Sequence, residues 1–164
     1  MAGLHPSTLR QSFWVVAAFI AVICAVSSAR AATAPADPCS LLPAATVGQA
    51  VGSPFNPPKS SVAPRPYANT AQGTDCNYSA KNGNKYLLFR VYFDPSDGDA
   101  TTLFAKLKMF FGQSTAVSGV GDEAYLDENE ALHARKGNVR FYLEMGQGNE
   151  APLKALGVQV AGAL

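Results

Sequence analysis

Cys39, in the stretch DPCSLLP, and Cys76, in TDCNYS, sit in segments that read as a helical turn and a strand. A bond between them would pin one element on the other before any further contact is made. Whether they pair depends on the compartment. The chain opens on MAGLHPSTLR and runs into the uninterrupted apolar stretch FWVVAAFIAVICAV, from Phe13 to Val26. A membrane-spanning helix needs roughly 20 apolar residues, so this shorter stretch suits the core of a secretory signal peptide. Ala29-Arg30-Ala31 fits a small-x-small cleavage site. Residues 1–31 therefore read as a signal peptide and residues 32–164 as a single exported globular domain starting at Ala32. No arginine pair marks a twin-arginine route. A rival reading keeps Phe13 to about Ala29 as an uncleaved membrane anchor.

Export makes the expected location periplasmic or secreted, and there Cys39 and Cys76 should form a disulfide. The chain-entropy account gives such a loop roughly 4 kcal/mol of stabilisation. A metal or redox pair is the rival, but C-x-x-C spacing is absent. His5 leaves with the leader, so His133 is the only histidine that remains. Charge narrows the partners further. Thirteen Lys and Arg face twelve Asp and Glu, and Arg10 and Arg30 also leave with the leader. A domain so close to neutral has no basic footprint for nucleic acid and little attraction to an anionic bilayer. After cleavage, no stable membrane insertion is expected.

Along the domain, Asp37 is placed to cap a helical turn with Pro38 first in it, and Pro43 to start a helix through AATVGQAV that Gly52 ends. From Ser53 to Gly73 the prolines Pro54, Pro57, Pro58, Pro64 and Pro66 predict an irregular surface segment with room for one edge strand. TDCNYS and KYLLFRVYFD read as two strands joined near Lys81 to Asn84. Ala100, Leu103, Phe104, Leu107, Phe110 and Phe111 then recur at helical spacing, predicting an amphipathic helix from Asp97 to Phe111 that Gly112 stops. EAYLDE, ALHARK and VRFYLEM read as three more strands. A last helix follows Asn149, with Leu153, Leu156, Val160 and Leu164 on one side. The order α-β-β-α-β-β-β-α predicts an α+β fold, an antiparallel sheet of about five strands packed by three helices.

The opening DPCSLLP, the strand motif Cys76-x-Tyr78, GVGDEAY and the closing LKALGVQVAGAL together resemble a family of small exported bacterial proteins of unknown function. Many of its members are lipoproteins, and the family is similar to the PsbP-like α/β/α sandwich. The resemblance implies that fold and supplies no catalytic residue. Here Ile23 precedes Cys24, where lipid attachment wants a small residue. Cys24 thus reads as an apolar member of the signal core, and a lipid anchor is not expected.

Motifs that would carry chemistry read more simply as structure. GVGDEA and GQGNEA match the dinucleotide fingerprint G-x-G-x-x-A. The first runs into a strand and puts Asp122 and Glu123 where a pyrophosphate would lie. The second is followed only by a helix, with no parallel strand or ribose-binding acid beyond it. Both predict turns. Asn77-Tyr78-Ser79 forms a glycosylation sequon inside a predicted strand. His133 has no G-x-S-x-G elbow to serve. Asp94, Asp97 and Asp99 lack the EF-hand spacing for calcium. No metal or cofactor is expected.

One pattern does point to a surface. With Leu87, Phe89, Val91 and Phe93 on one face of their strand, Arg90 and Tyr92 fall on the other; with Val139, Phe141, Leu143 and Met145 inward, Arg140 and Tyr142 fall opposite. Tyr125, His133 and Arg135 join that second face if the hairpins pair in register. Tyr and Arg are enriched at binding surfaces. The plainer alternative is that a helix or solvent covers this face. The expected function is a non-enzymatic exported domain that binds a ligand or partner protein in the cell envelope through these residues. Alternatives are a small hydrolase using acidic residues and a purely structural envelope component.

Overall fold

Seven strands among the described residues pair into one antiparallel sheet. They are β1 (Lys59–Ala63), β2 (Gly73–Ser79), β3 (Tyr86–Phe93), β4 (Thr115–Ala116), β5 (Glu123–Leu126), β6 (Leu132–Lys136) and β7 (Val139–Glu144). Their spatial order is β1-β2-β3-β7-β6-β5-β4. Three helices complete the fold: α1 (Ala44–Val51), α2 (Asp97–Phe111) and α3 (Glu150–Ala163). This computed structural model describes residues 31–164, so the apolar leader stretch, Trp14 and Cys24 lie outside the described residues. Among the described residues no helix is long and apolar enough to cross a membrane.

The sheet is wider than the five strands expected, and both additions are edges. β1 lies in the proline-rich segment and is exposed along most of its length, while β4 has only two residues, both exposed. An edge strand needs a partner on one side only and little apolar content, so KSSVA gives no periodic signal. The first two helical segments are capped where expected, at Asp37 and Gly52. The Asp37 side chain accepts from Cys39 N at the 3-10 turn Pro38–Leu41, and Gly52 ends α1 at φ 69°. Ser96 caps α2 and accepts from Asp99 N.

The inward face of the sheet packs on α1 and α3. Cys76, Tyr78, Leu87, Phe89, Val91, Val139 and Leu143 meet Leu42, Val47, Leu153, Leu156 and Val160 in one core. At Gly157 the helix comes so close to the sheet that an added Cβ would lie 2.6 Å from Leu132 Cδ2. The disulfide joins Cys39 to Cys76, as expected. Two residues on, the Tyr78 hydroxyl donates to Leu42 O at 2.5 Å. Cys76 and Tyr78 share a face because they are two apart, so bridge and hydrogen bond together hold the N-terminal turn on β2. Helix α2 packs on the opposite face, against β6 and β7.

Candidate functional site

The strand register arranges the outward face as two rows. Asp75 pairs with Arg90, Arg90 with Tyr142, Tyr142 with His133 and His133 with Tyr125. Beside them run Gly73, Tyr92, Arg140, Arg135 and Glu123. All seven candidate residues therefore lie on one face, but they do not form one site. Arg90, Tyr92, His133, Arg140 and Tyr142 line a cavity of about 320 Å³. Tyr125 is buried beneath α2, 5.1 Å from the Phe104 ring and stacked on His133 at 4.7 Å. Arg135 turns the other way: its Nη1 donates to Asp97 Oδ1 at 2.5 Å and to Gly137 O at 3.1 Å, tying the β6–β7 turn to the start of α2. These two belong to the support of the fold, not to the cleft.

The cavity exists because α2 covers only part of the face. Ala100 and Phe104 are buried on the sheet, but Phe110, expected on the same apolar stripe, is 79% exposed. It lies one residue from Phe111, about 100° around the helix, and only Phe111 reaches the sheet, its ring 4.8 Å from His133. Leu107, Phe110 and Phe111 thus form one wall. Pro64, Pro66 and Tyr67, from the connection between β1 and β2, form the other. That wall is fastened to the floor, since the Tyr92 hydroxyl donates to Pro64 O at 2.6 Å. Tyr92 in turn lies across Gly73, where an added Cβ would come within 2.6 Å of two ring carbons. The proline-rich wall carried no binding signal in the sequence. The α2 wall was legible as an apolar stripe, but its exposure was not.

The two floor arginines are each held by a carboxylate. Arg90 Nε and Nη2 donate to Asp75 Oδ1 and Oδ2 at 2.6 and 2.9 Å. Arg140 Nε and Nη2 donate to Asp94 Oδ2 and Oδ1 at 2.5 and 3.0 Å, with both side chains almost wholly buried. The Arg140 guanidinium also sits 4.8 Å from the Tyr92 ring centroid, and that of Arg90 5.8 Å from Tyr142. The hydrogen bond to Asp75 holds the Arg90 pKa above its ordinary value against the pull of burial.

Burial pushes the Tyr92 hydroxyl up, and the two arginines only partly offset it. Burial also pushes Tyr142 up, helped by its hydrogen bond to Glu144 Oε2 at 2.6 Å and by the charges of Glu144 and Asp127. Burial raises Asp127 as well. Hydrogen bonds from His133 and from the backbone N–H groups of Ala131 and Asn129 outweigh it, so this carboxyl ends below its ordinary value.

The His133–Asp127 pair, 3.0 Å apart, is half of a nucleophile-activating relay. Among the described residues no serine, threonine or cysteine lines the cavity for it to activate, and burial raises the Tyr92 and Tyr142 hydroxyls, which makes them poor nucleophiles. The acidic residues weighed for calcium go to separate partners: Asp94 to Arg140, Asp97 to Arg135 and Asp99 to Ser96. Both glycine-rich stretches are turns, with Gly119, Gly121, Gly146 and Gly148 all at positive φ. No protein-family model, curated protein or solved structure matches the chain.

Proposed function

We propose that this protein is an exported binding domain whose ligand sits in the cleft between α2 and the Pro64–Tyr67 wall. The observation that carries the reading is the concave aromatic cleft over Tyr92, Arg140 and Tyr142, with apolar Phe110 exposed at its rim. Exposed aromatics around a concave site with a few fixed polar groups are the usual make-up of a small-molecule site. The periplasmic or secreted location, the cut near Ala32 and the PsbP-like sandwich belong to the same proposal. They rest on the N-terminal pattern, the disulfide and helices on both faces of the sheet. A hydrolase is less well supported, because the nearby carboxylates Asp75, Asp94, Asp127 and Glu144 are each engaged by arginine, histidine or tyrosine. Native mass spectrometry of the protein recovered from its host envelope tests the reading. A bound small molecule should appear on the wild type and vanish in Leu107→Trp, which fills the cleft, and the mass should correspond to a chain starting near Ala32. An intact Met1 would overturn export, and an adduct indifferent to Leu107→Trp would overturn the site.

A further inference from the structure

An arginine-floored cleft suggests an anion at first sight, but the charge around this one points elsewhere. Both arginines are already neutralised by two-point contacts with Asp75 and Asp94. Two further carboxylates adjoin the lining: Asp127 bonded to His133 and Glu144 bonded to Tyr142. Two cations therefore face four carboxylates. An anionic group entering the cleft would lose its hydration and find both lining guanidiniums already paired with carboxylates. What the guanidiniums do retain is donor capacity. Each commits Nε and Nη2 to its carboxylate and keeps Nη1 out of that pair. The remaining surface is aromatic and aliphatic, supplied by Tyr67, Phe104, Leu107, Phe110 and Phe111. The volume of about 320 Å³ is roughly twice the cavity that holds one benzene ring in a protein core.

We infer that the cleft selects an uncharged, mainly apolar molecule of about two rings in bulk, which offers a carbonyl, ether or hydroxyl oxygen to Arg90 or Arg140. This rests on the binding function proposed above and names its ligand class. The test uses two fluorescent probes with the same ring system, N-phenylnaphthylamine, which is uncharged, and anilinonaphthalene sulfonate, which adds one negative charge. Each is titrated into the exported protein, into Leu107→Trp and into Tyr67→Ala, the last replacing a half-exposed rim residue whose loss the fold should tolerate. The uncharged probe should bind the wild type and the sulfonate at least roughly tenfold more weakly, since its charge would be desolvated while both lining guanidiniums are already paired. Both variants should weaken the uncharged probe severalfold. Sulfonate binding as tight as the uncharged probe, and equally sensitive to the variants, would overturn the ligand class while leaving the cleft as the site. Binding that neither folded variant alters, or no binding of either probe, would overturn both.

Discussion

Two buried tyrosines show how the worth of a polar atom depends on its partner. The Tyr78 hydroxyl donates to a backbone carbonyl under the disulfide, whereas the Tyr125 hydroxyl is buried and has no hydrogen-bond partner among the described residues. Removing a satisfied hydroxyl strands its acceptor; removing an unsatisfied one relieves a desolvation cost. Tyr78→Phe should therefore lower stability in urea by about 1 kcal/mol, and Tyr125→Phe should leave it unchanged or raise it by up to about 1 kcal/mol. A clear loss in Tyr125→Phe would mean that its hydroxyl has a partner in solution. Tyr125 also shows what alternation alone leaves undecided. Period two put it on the same face as Tyr142, but only the path of α2 determined that one is roofed by Phe104 and the other lines a cleft.

Among the elements, the N-terminal turn has the least packing of its own. Pro38–Leu41 buries only Cys39, and α1 buries only Val47. Covalent attachment to β2 compensates for that thin contact. Cys39→Ser should cost about 2–5 kcal/mol, seen as a lower urea midpoint, while strands β3, β6 and β7 keep their hydrogen-exchange protection at low denaturant. Equal stability of Cys39→Ser and wild type would mean that the turn stays docked through Tyr78 and Leu42 alone. Sequence was informative for this element because Asp37, Pro38 and Gly52 act locally, through caps and fixed φ. It was less informative for β1 and β4, whose pairing is set by the neighbouring strand and not by their own side chains.

Across the whole molecule, buried ionisable groups should shape stability at both extremes of pH. Asp127 titrates below its ordinary 3.8, so the folded state holds its charge better than the unfolded chain does. Its contribution is complete above pH 3.8 and is lost as the pH falls through the lower folded value. The stability difference between wild type and Asp127→Asn should accordingly shrink on acidification below that point. Tyr78, Tyr125 and Tyr142 are raised above 10.0 chiefly by burial, so their share is intact below pH 10.0 and is lost as the pH climbs past it. Tyrosinate absorbance should rise together with unfolding on that limb. Ionisation of all the tyrosines near 10.0 without unfolding would show that these hydroxyls are not buried.

Features that depend on neighbours along the chain were legible without coordinates. Alternation in β3 and β7 placed Leu87, Phe89, Leu143 and Val139 inward and Arg90, Tyr92, Arg140 and Tyr142 outward, since successive side chains of a strand must point to opposite faces. The helix from Asp97 to Phe111 follows from equally local rules of spacing and capping, and the pairing of Cys39 with Cys76 from the cysteine count beyond the leader and the expected compartment. Which outward residues meet in the cleft was not legible in the same way. Asp75 and Asp94 neutralise arginines that lie 15 and 46 residues away in sequence, and Pro64 faces Phe110 across a cleft that no periodicity encodes. Such partners are brought together by sheet order and by the angle at which a helix crosses the sheet. Both are set by packing of the whole core, not by any one segment.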